Sequence, residues 1–171
     1  MTILLVSDDD RSALACQLLA QQLEQRGQAC LTVGPALSSR RDSPLPSITP
    51  QIPLTLMDLL GHEQLNSASA VGVFNRRSDH LQRFTNAHRE LARLRGVRPA
   101  LVFSGPLKAS LGDRLVRQLS DRQCCDLLMV PGERQRKDLE AITQFWPESL
   151  TSPQIESTGL WFLPERPPLG G

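Results

Sequence analysis

The sequence predicts an α/β domain with a three-layer, Rossmann-like, doubly wound parallel sheet of five to six strands. Short apolar runs alternate with longer segments in which leucine recurs at helical spacing, as in parallel sheets covered by helices. The opening unit places apolar residues 3–7, a helical segment at 12–26 and a second apolar run at 30–33 within about thirty residues, a spacing that favours parallel pairing through a right-handed crossover. We expect residues 1–163 to form one domain, with a Pro- and Gly-rich linker or tail at 164–171.

The strands and helices follow from local patterns. We expect Asp10 to cap the first helix and Gly27 to end it. Residues 35–53 hold five prolines and predict an irregular loop, and residues 54–65 predict a short helix. Apolar runs at 70–74, 99–103 and 126–130 predict the third, fourth and fifth strands.

Three longer helices and a last apolar run complete the prediction. The first runs from a cap at Ser78 to near Arg95 and stops at Gly96, and its inner face carries Leu81, Phe84, Leu91 and Leu94. A second helix follows residues 104–106, and a third carries Leu139, Ile142 and Phe145. After a polar linker, residues 159–163 form a final apolar run.

Composition excludes several classes of protein. The 171 residues carry 19 basic and 18 acidic side chains, so the net charge of +1 lacks the basic excess of nucleic-acid binders. No apolar run reaches the roughly 18 residues of a membrane span, and the first run is too short for a signal peptide. The four cysteines form no metal-ligand spacing, so we expect no metal, reduced thiols and a cytoplasmic location: Cys16, Cys30, Cys124 and Cys125.

The first candidate site follows the first strand. Ligands of open α/β sheets bind outside the carboxyl ends of strands, where the strand order reverses. Ser7, Asp8 and Asp9 stand at such a position. The three carboxylates of Asp8, Asp9 and Asp10 could hold a divalent cation or bond sugar hydroxyls. The same carboxylates could instead cap the first helix and complement its dipole, and this is the favoured role of Asp10.

Two strand–turn–helix junctions are further candidates. Ser104 and Gly105 follow the fourth strand, and Gly132 and Glu133 follow the fifth. Glycine lets the backbone approach a ligand, and a helix N-terminus presents N–H groups to an anion. Neither junction matches a Gly-rich phosphate-binding motif, so a tight turn is the favoured interpretation of both. We expect the ends of the first and fourth strands, after Val6 and Phe103, to lie side by side.

Histidine and arginine side chains give weaker signals. His80 comes shortly after the third strand and could act as a general base. His88 lies one turn beyond Phe84 and is better interpreted as a packed residue, and His62 falls near the predicted short helix. Asn75-Arg76-Arg77 could bind phosphate or carboxylate or form a solvated loop.

The acidic opening also resembles response-regulator receiver domains. Such a domain needs a phospho-acceptor aspartate at the end of its third strand, for which Asp58 is the candidate here. Asn75 then follows the next strand in place of Ser or Thr, and the fifth strand leads into Pro131-Gly132 instead of Lys-Pro. A stand-alone Rossmann-like, flavodoxin-like or receiver-like binding or regulatory module without catalysis remains the alternative.

Four later segments resemble the N-terminal half of a family of bacterial glycosyltransferases with the GT-B architecture. They are Val102-Phe103-Ser104-Gly105-Pro106-Leu107, Gly112-Asp113, the run from Cys125 to Gln135, and the run from Gly159 to Pro168. The opening strand with its Ser-Asp also fits, so the resemblance covers most of the chain.

The resemblance implies sugar transfer from a nucleotide-sugar to an acceptor hydroxyl across a cleft between two Rossmann-like domains. The N-terminal domain of this architecture usually takes the acceptor, and a second domain or partner chain would hold the nucleotide-sugar. Asp8 or His80 would be the general base, and the backbone near Gly105 and Gly132 would bind phosphate or sugar oxygens. The family implies no bound metal and no cofactor, and we expect this chain by itself to be inactive.

Overall fold

Six parallel strands form a single sheet in the computed structural model of the chain, which describes residues 1–35, 49–74, 79–96, 100–104, 125–144 and 154–158. The strand order is β2-β1-β3-β4-β5-β6, and all five pairings are parallel. The strands are β1 (Thr2–Val6), β2 (Cys30–Val33), β3 (Ala68–Val73), β4 (Ala100–Ser104), β5 (Leu127–Val130) and β6 (Gln154–Ser157). The predicted fold class is confirmed.

Helices cover both faces of this sheet. The described helices are α1 (Asp10–Gln25), α2 (Glu63–Ser67), α3 (Asp79–Arg95) and α4 (Glu133–Thr143), with a 3₁₀ helix at Asp58–Gly61. Alternate residues of β1 point to opposite faces, so Leu5 joins α1 in a smaller apolar cluster while Leu4 and Val6 join the larger one. The larger cluster also contains Phe84 of α3 and Leu139 of α4.

A short segment extends the sheet beyond β2. Ile52 forms a parallel bridge with Val33, since its N–H donates to the Thr32 carbonyl at 3.0 Å and its own carbonyl accepts from Gly34 N–H at 3.1 Å. This bridge is an isolated one and adds no strand to the six. Their order, 2-1-3-4-5-6, is a doubly wound order in which the chain reverses its direction across the sheet between β1 and β3.

Both predicted helix stops are confirmed. Gly27 and Gly96 have φ values of 80° and 68°, the left-handed region in which glycine has no Cβ penalty. The predicted helix over residues 54–65 is instead divided into the 3₁₀ helix and α2. Leu94 was predicted on the inner face of α3, which is wrong because its side chain is 78% exposed.

The last strand lies where the sequence predicts a polar linker. In β6 only Ile155 of the four residues is buried, and this edge position tolerates polar side chains on the other three. The predicted apolar run at 159–163, the helix after residue 105, Asn75-Arg76-Arg77 and Cys124 all lie outside the described residues. Over the described part of the chain, no helix is long and apolar enough to cross a membrane.

Candidate functional site

The strand order reverses between β1 and β3, and the carboxyl ends of these two strands define the candidate site. Val6 is in register with Val73, and Phe74 N–H donates to the Val6 carbonyl at 2.9 Å. On the other side, Ser7 N–H donates to the Val33 carbonyl at 2.9 Å. The chain after β1 is therefore bonded to both neighbouring strands, which fixes where Asp8 and Asp9 begin the next turn.

Asp9, and not Asp10, is the N-cap of α1. Its Oδ1 accepts from Ser12 N–H at 2.7 Å, and the Ser12 hydroxyl in turn accepts from Asp9 N–H at 3.1 Å. This reciprocal capping box satisfies donors at the helix start, so the carboxylate of Asp9 is engaged in holding the helix. Asp10 is the first residue of α1, which corrects its predicted role as the cap.

Asp8 is the carboxylate of this loop that does not cap the helix. Its backbone N–H donates to Ser12 Oγ at 3.2 Å, and its Oδ1 lies 3.2 Å from the same hydroxyl. The side chain is half-buried at the carboxyl end of β1. Ser12 thus fixes the backbone of both acidic residues from one turn further along, and Asp8 is the carboxylate best placed to meet a ligand at the β1/β3 end.

The side of the site toward β2 is closed by close packing. Ser7 is 3% exposed, and a Cβ on Gly34 would lie 2.8 Å from its Oγ and 3.1 Å from Pro50 Cγ. A side chain at Gly34 would force a neighbour to move, because the contact with Ser7 would be shorter than 3.0 Å. The side of Asp8 toward β2 is therefore closely packed.

Burial suppresses the reactivity of the nearby thiol. Cys16 lies one turn beyond Ser12 and is 1% exposed. Burial raises the pKa of its thiol far above the usual value, and the negative charges of Asp8 and Asp9 raise it further. Cys16 is a core residue and not a nucleophile. Within the described residues, no group of three His, Cys, Asp or Glu side chains could hold a metal ion.

The ends of β1 and β4, expected side by side at one edge of the sheet, share that edge but are not adjacent. β3 lies between them, so Ser104, the last residue of β4, is two strand spacings from β1, or about 10 Å. The two ends do lie along the same edge of the sheet because every strand is parallel. The side chain of Ser104 and the whole of Gly105 lie outside the described residues.

Glu133 is engaged in an ion pair at the start of α4. Its carboxylate contacts the Arg136 guanidinium one turn along, and this hydrogen bond lowers the pKa of Glu133. Arg136 also donates to Glu140 at 2.8 Å, which extends the pair along the helix. Gly132 accepts the Arg136 N–H at 3.1 Å, and a Cβ there would meet nothing within 4 Å, so its packing does not require glycine. Gly132 and Glu133 follow β5, and two strands, β3 and β4, lie between β5 and β1.

Each histidine has a different position. His80 is the second residue of α3, near the carboxyl end of β3, and its side chain is outside the described part of the chain. His88 is 3% exposed and stacks on Phe84 with ring centroids 5.8 Å apart, which confirms it as a packed residue. His62 caps α2, because its Nδ1 accepts from Gln64 N–H at 3.2 Å.

Asp58 does not occupy the position that a receiver domain requires. It is the first residue of the 3₁₀ helix, is exposed, and accepts from Thr55 Oγ1 at 2.7 Å. No strand ends at Asp58, since β3 begins ten residues later. The structure therefore disagrees with a phospho-acceptor role for this residue.

Sequence reasoning missed Ser12 and Gly34 as residues that shape the site. Ser12 had a detectable signal, because a Ser three residues after an Asp is a reciprocal capping pattern. Gly34 had none, since its requirement arises from Ser7 and Pro50, which approach it from other segments. No protein-family model and no curated protein matches the chain.

Proposed function

We propose that the chain is the acceptor-side domain of a glycosyltransferase with the GT-B architecture, with its acceptor site at the carboxyl ends of β1 and β3. The observation that supports this proposal is the parallel, doubly wound sheet, which agrees with the Rossmann-like half expected from the resemblance and puts Asp8 at the point where the strand order reverses. The receiver-like alternative shares this strand order, and the exposed position of Asp58 outside any strand counts against it.

Asp8 is the proposed general base. A sugar acceptor must lose a hydroxyl proton as the new glycosidic bond forms, and a carboxylate near that hydroxyl can accept it. Asp8 has the required chemistry and stands at the point of strand reversal, whereas Asp9 is held by the helix cap. Ser12 is a positioning residue, because its hydroxyl contacts the backbone or carboxylate of both.

The nucleotide-sugar would be bound by a facing domain or a partner chain. In the proposed reaction the acceptor oxygen attacks the anomeric carbon, the bond from that carbon to the nucleotide phosphate breaks, and the acceptor proton passes to Asp8. Asp8 would supply the base, and the facing domain would supply the leaving-group contacts. We therefore expect this chain to bind acceptor saccharides without turning over a nucleotide-sugar.

Saturation-transfer NMR on the purified chain tests this assignment. Simple glycosides should bind, and Asp8→Asn should lower their apparent affinity roughly ten- to a hundredfold, since a hydrogen bond to a charged group contributes roughly 1.5–3 kcal/mol. Asp58→Asn is the matched control, because Asp58 is an exposed aspartate bonded to Thr55 away from the site. Absence of saccharide binding, or equal binding by wild type and Asp8→Asn, would remove the acceptor-site proposal.

A further inference from the structure

The outer edge of β2 is covered by two residues from a distant part of the chain. Thr32 N–H donates to the Gln51 side-chain Oε1 at 3.0 Å, the Thr32 carbonyl accepts from Ile52 N–H at 3.0 Å, and Gly34 N–H donates to the Ile52 carbonyl at 3.1 Å. The Thr32 hydroxyl accepts from Gln51 N–H at 3.1 Å. Together these bonds use the backbone groups of β2 that point away from β1 between Thr32 and Gly34.

The covering segment offers no backbone donor to a further strand. Pro50 and Pro53 have no N–H, and the N–H groups of Gln51 and Ile52 are bonded to Thr32. The remaining N–H, that of Leu54, donates to the Ile52 carbonyl at 2.9 Å. We name residues 50–54 the edge strap. The backbone carbonyls of a strand docked against it would find no available N–H donor between residues 50 and 54.

We propose that the edge strap keeps a second copy of this chain from adding a strand at β2. An uncovered parallel edge is a template for another chain, and natural sheets protect such edges with short strands and prolines. The strap combines both devices, since one bridged residue is flanked by Pro50 and Pro53. The side-chain amide of Gln51 accepts from Thr32 N–H, where a backbone carbonyl of a neighbouring strand would otherwise accept. Thr32 is thus covered without a longer strand beside β2.

Two mild variants open this edge by different routes. Gln51→Ala removes the acceptor for Thr32 N–H, and Pro53→Ala introduces a new backbone donor. Neither change removes a buried side chain, because Gln51 and Pro53 are exposed, whereas Pro50 is buried against Gly34 and is left unchanged. The matched controls are Gln21→Ala on the exposed side of α1 and Pro131→Ala in the turn after β5.

Hydrogen exchange and sedimentation velocity give separate measurements. In Gln51→Ala we expect the Thr32 amide to exchange about fivefold faster, as loss of one hydrogen bond implies. When Gln51→Ala is combined with Pro53→Ala, we expect the weight-average sedimentation coefficient to rise with protein concentration, unlike in either control. The proposal is overturned if Thr32 exchange is unchanged in Gln51→Ala. It is equally overturned if exchange accelerates and the double variant sediments as the wild type does at every concentration.

Discussion

The backbone of Gly34 passes so close to Ser7 that a Cβ built on Gly34 would lie 2.8 Å from the Ser7 Oγ. Pro50 approaches the same point from the edge strap, with its Cγ 3.1 Å from that Cβ position. Three segments that are distant in sequence therefore meet where β1 and β2 end. This contact fixes the position of Ser7 directly before the acidic loop of the candidate site.

We predict that Gly34→Ala destabilises the fold. The added methyl group would overpack a buried contact, which typically costs about 1–3 kcal/mol in the free energy of unfolding. Urea unfolding followed by circular dichroism measures this change. Gly61→Ala is the control, because a Cβ at Gly61 meets nothing within 4 Å. Equal stability of Gly34→Ala and wild type would show that the contact relaxes without cost.

Asp9→Ala should lower the stability of α1 through loss of its cap. The carboxylate accepts from Ser12 N–H at 2.7 Å, and removal of such a cap costs about 0.5–2 kcal/mol. Asp9→Asn should recover most of the loss, since asparagine is an equally good cap. Thermal and urea unfolding of the two variants provide the comparison. If Asp9→Asn were as unstable as Asp9→Ala, the charge rather than the capping geometry would be responsible.

Two apolar residues of α3 should differ sharply when replaced by alanine. Phe84 is fully buried and stacks on His88, so Phe84→Ala should cost about 3–5 kcal/mol in unfolding free energy. Leu94 is 78% exposed, and Leu94→Ala should change stability by less than about 0.5 kcal/mol. The urea midpoints of the two variants, compared at an unchanged m-value, measure both changes in the free energy of unfolding. A large loss with Leu94→Ala would mean that this side chain packs against a partner in solution.

Cys16 should resist alkylation in the folded protein. Its thiol is buried and its pKa is raised, so little thiolate is present at pH 8, and iodoacetamide should label it only after unfolding in urea. Peptide mass mapping reads the site directly. Gln21→Cys, on an exposed position of the same helix, supplies a thiol that should react in the native state. Native labelling of Cys16 at a comparable rate would contradict its core position.

The same pKa shift makes a prediction about stability in alkali. A folded pKa above the unfolded value of about 9.0 means that the folded state favours the neutral thiol. The contribution of Cys16 to the free energy of unfolding is therefore present below pH 9 and declines as the pH rises above it, because the thiol of the unfolded chain ionises first. Urea unfolding of wild type and Cys16→Ala at pH 7 and pH 10 compares the two. Wild type should lose more stability over this interval than the variant does.

Local patterns in the sequence were sufficient for several elements of the fold. The strands at β1 and β2, the stops at Gly27 and Gly96, and the packed position of His88 all follow from apolar periodicity or from backbone conformation that a single residue controls. The N-cap was missed by one residue, because Asp9 and Asp10 are chemically equivalent caps and only the position of Ser12 distinguishes them.

The sequence by itself determined a parallel α/β fold and placed an acidic loop after β1. Only the tertiary structure decided that β3 separates β1 from β4, that β6 is a strand, and that Ile52 covers the outer edge of β2. Burial and turn formation depend on the types of residues close together in the sequence, and so they can be predicted. Strand order and close contacts such as that of Gly34 with Ser7 depend on packing and hydrogen bonds between segments far apart in the chain, which no local pattern specifies.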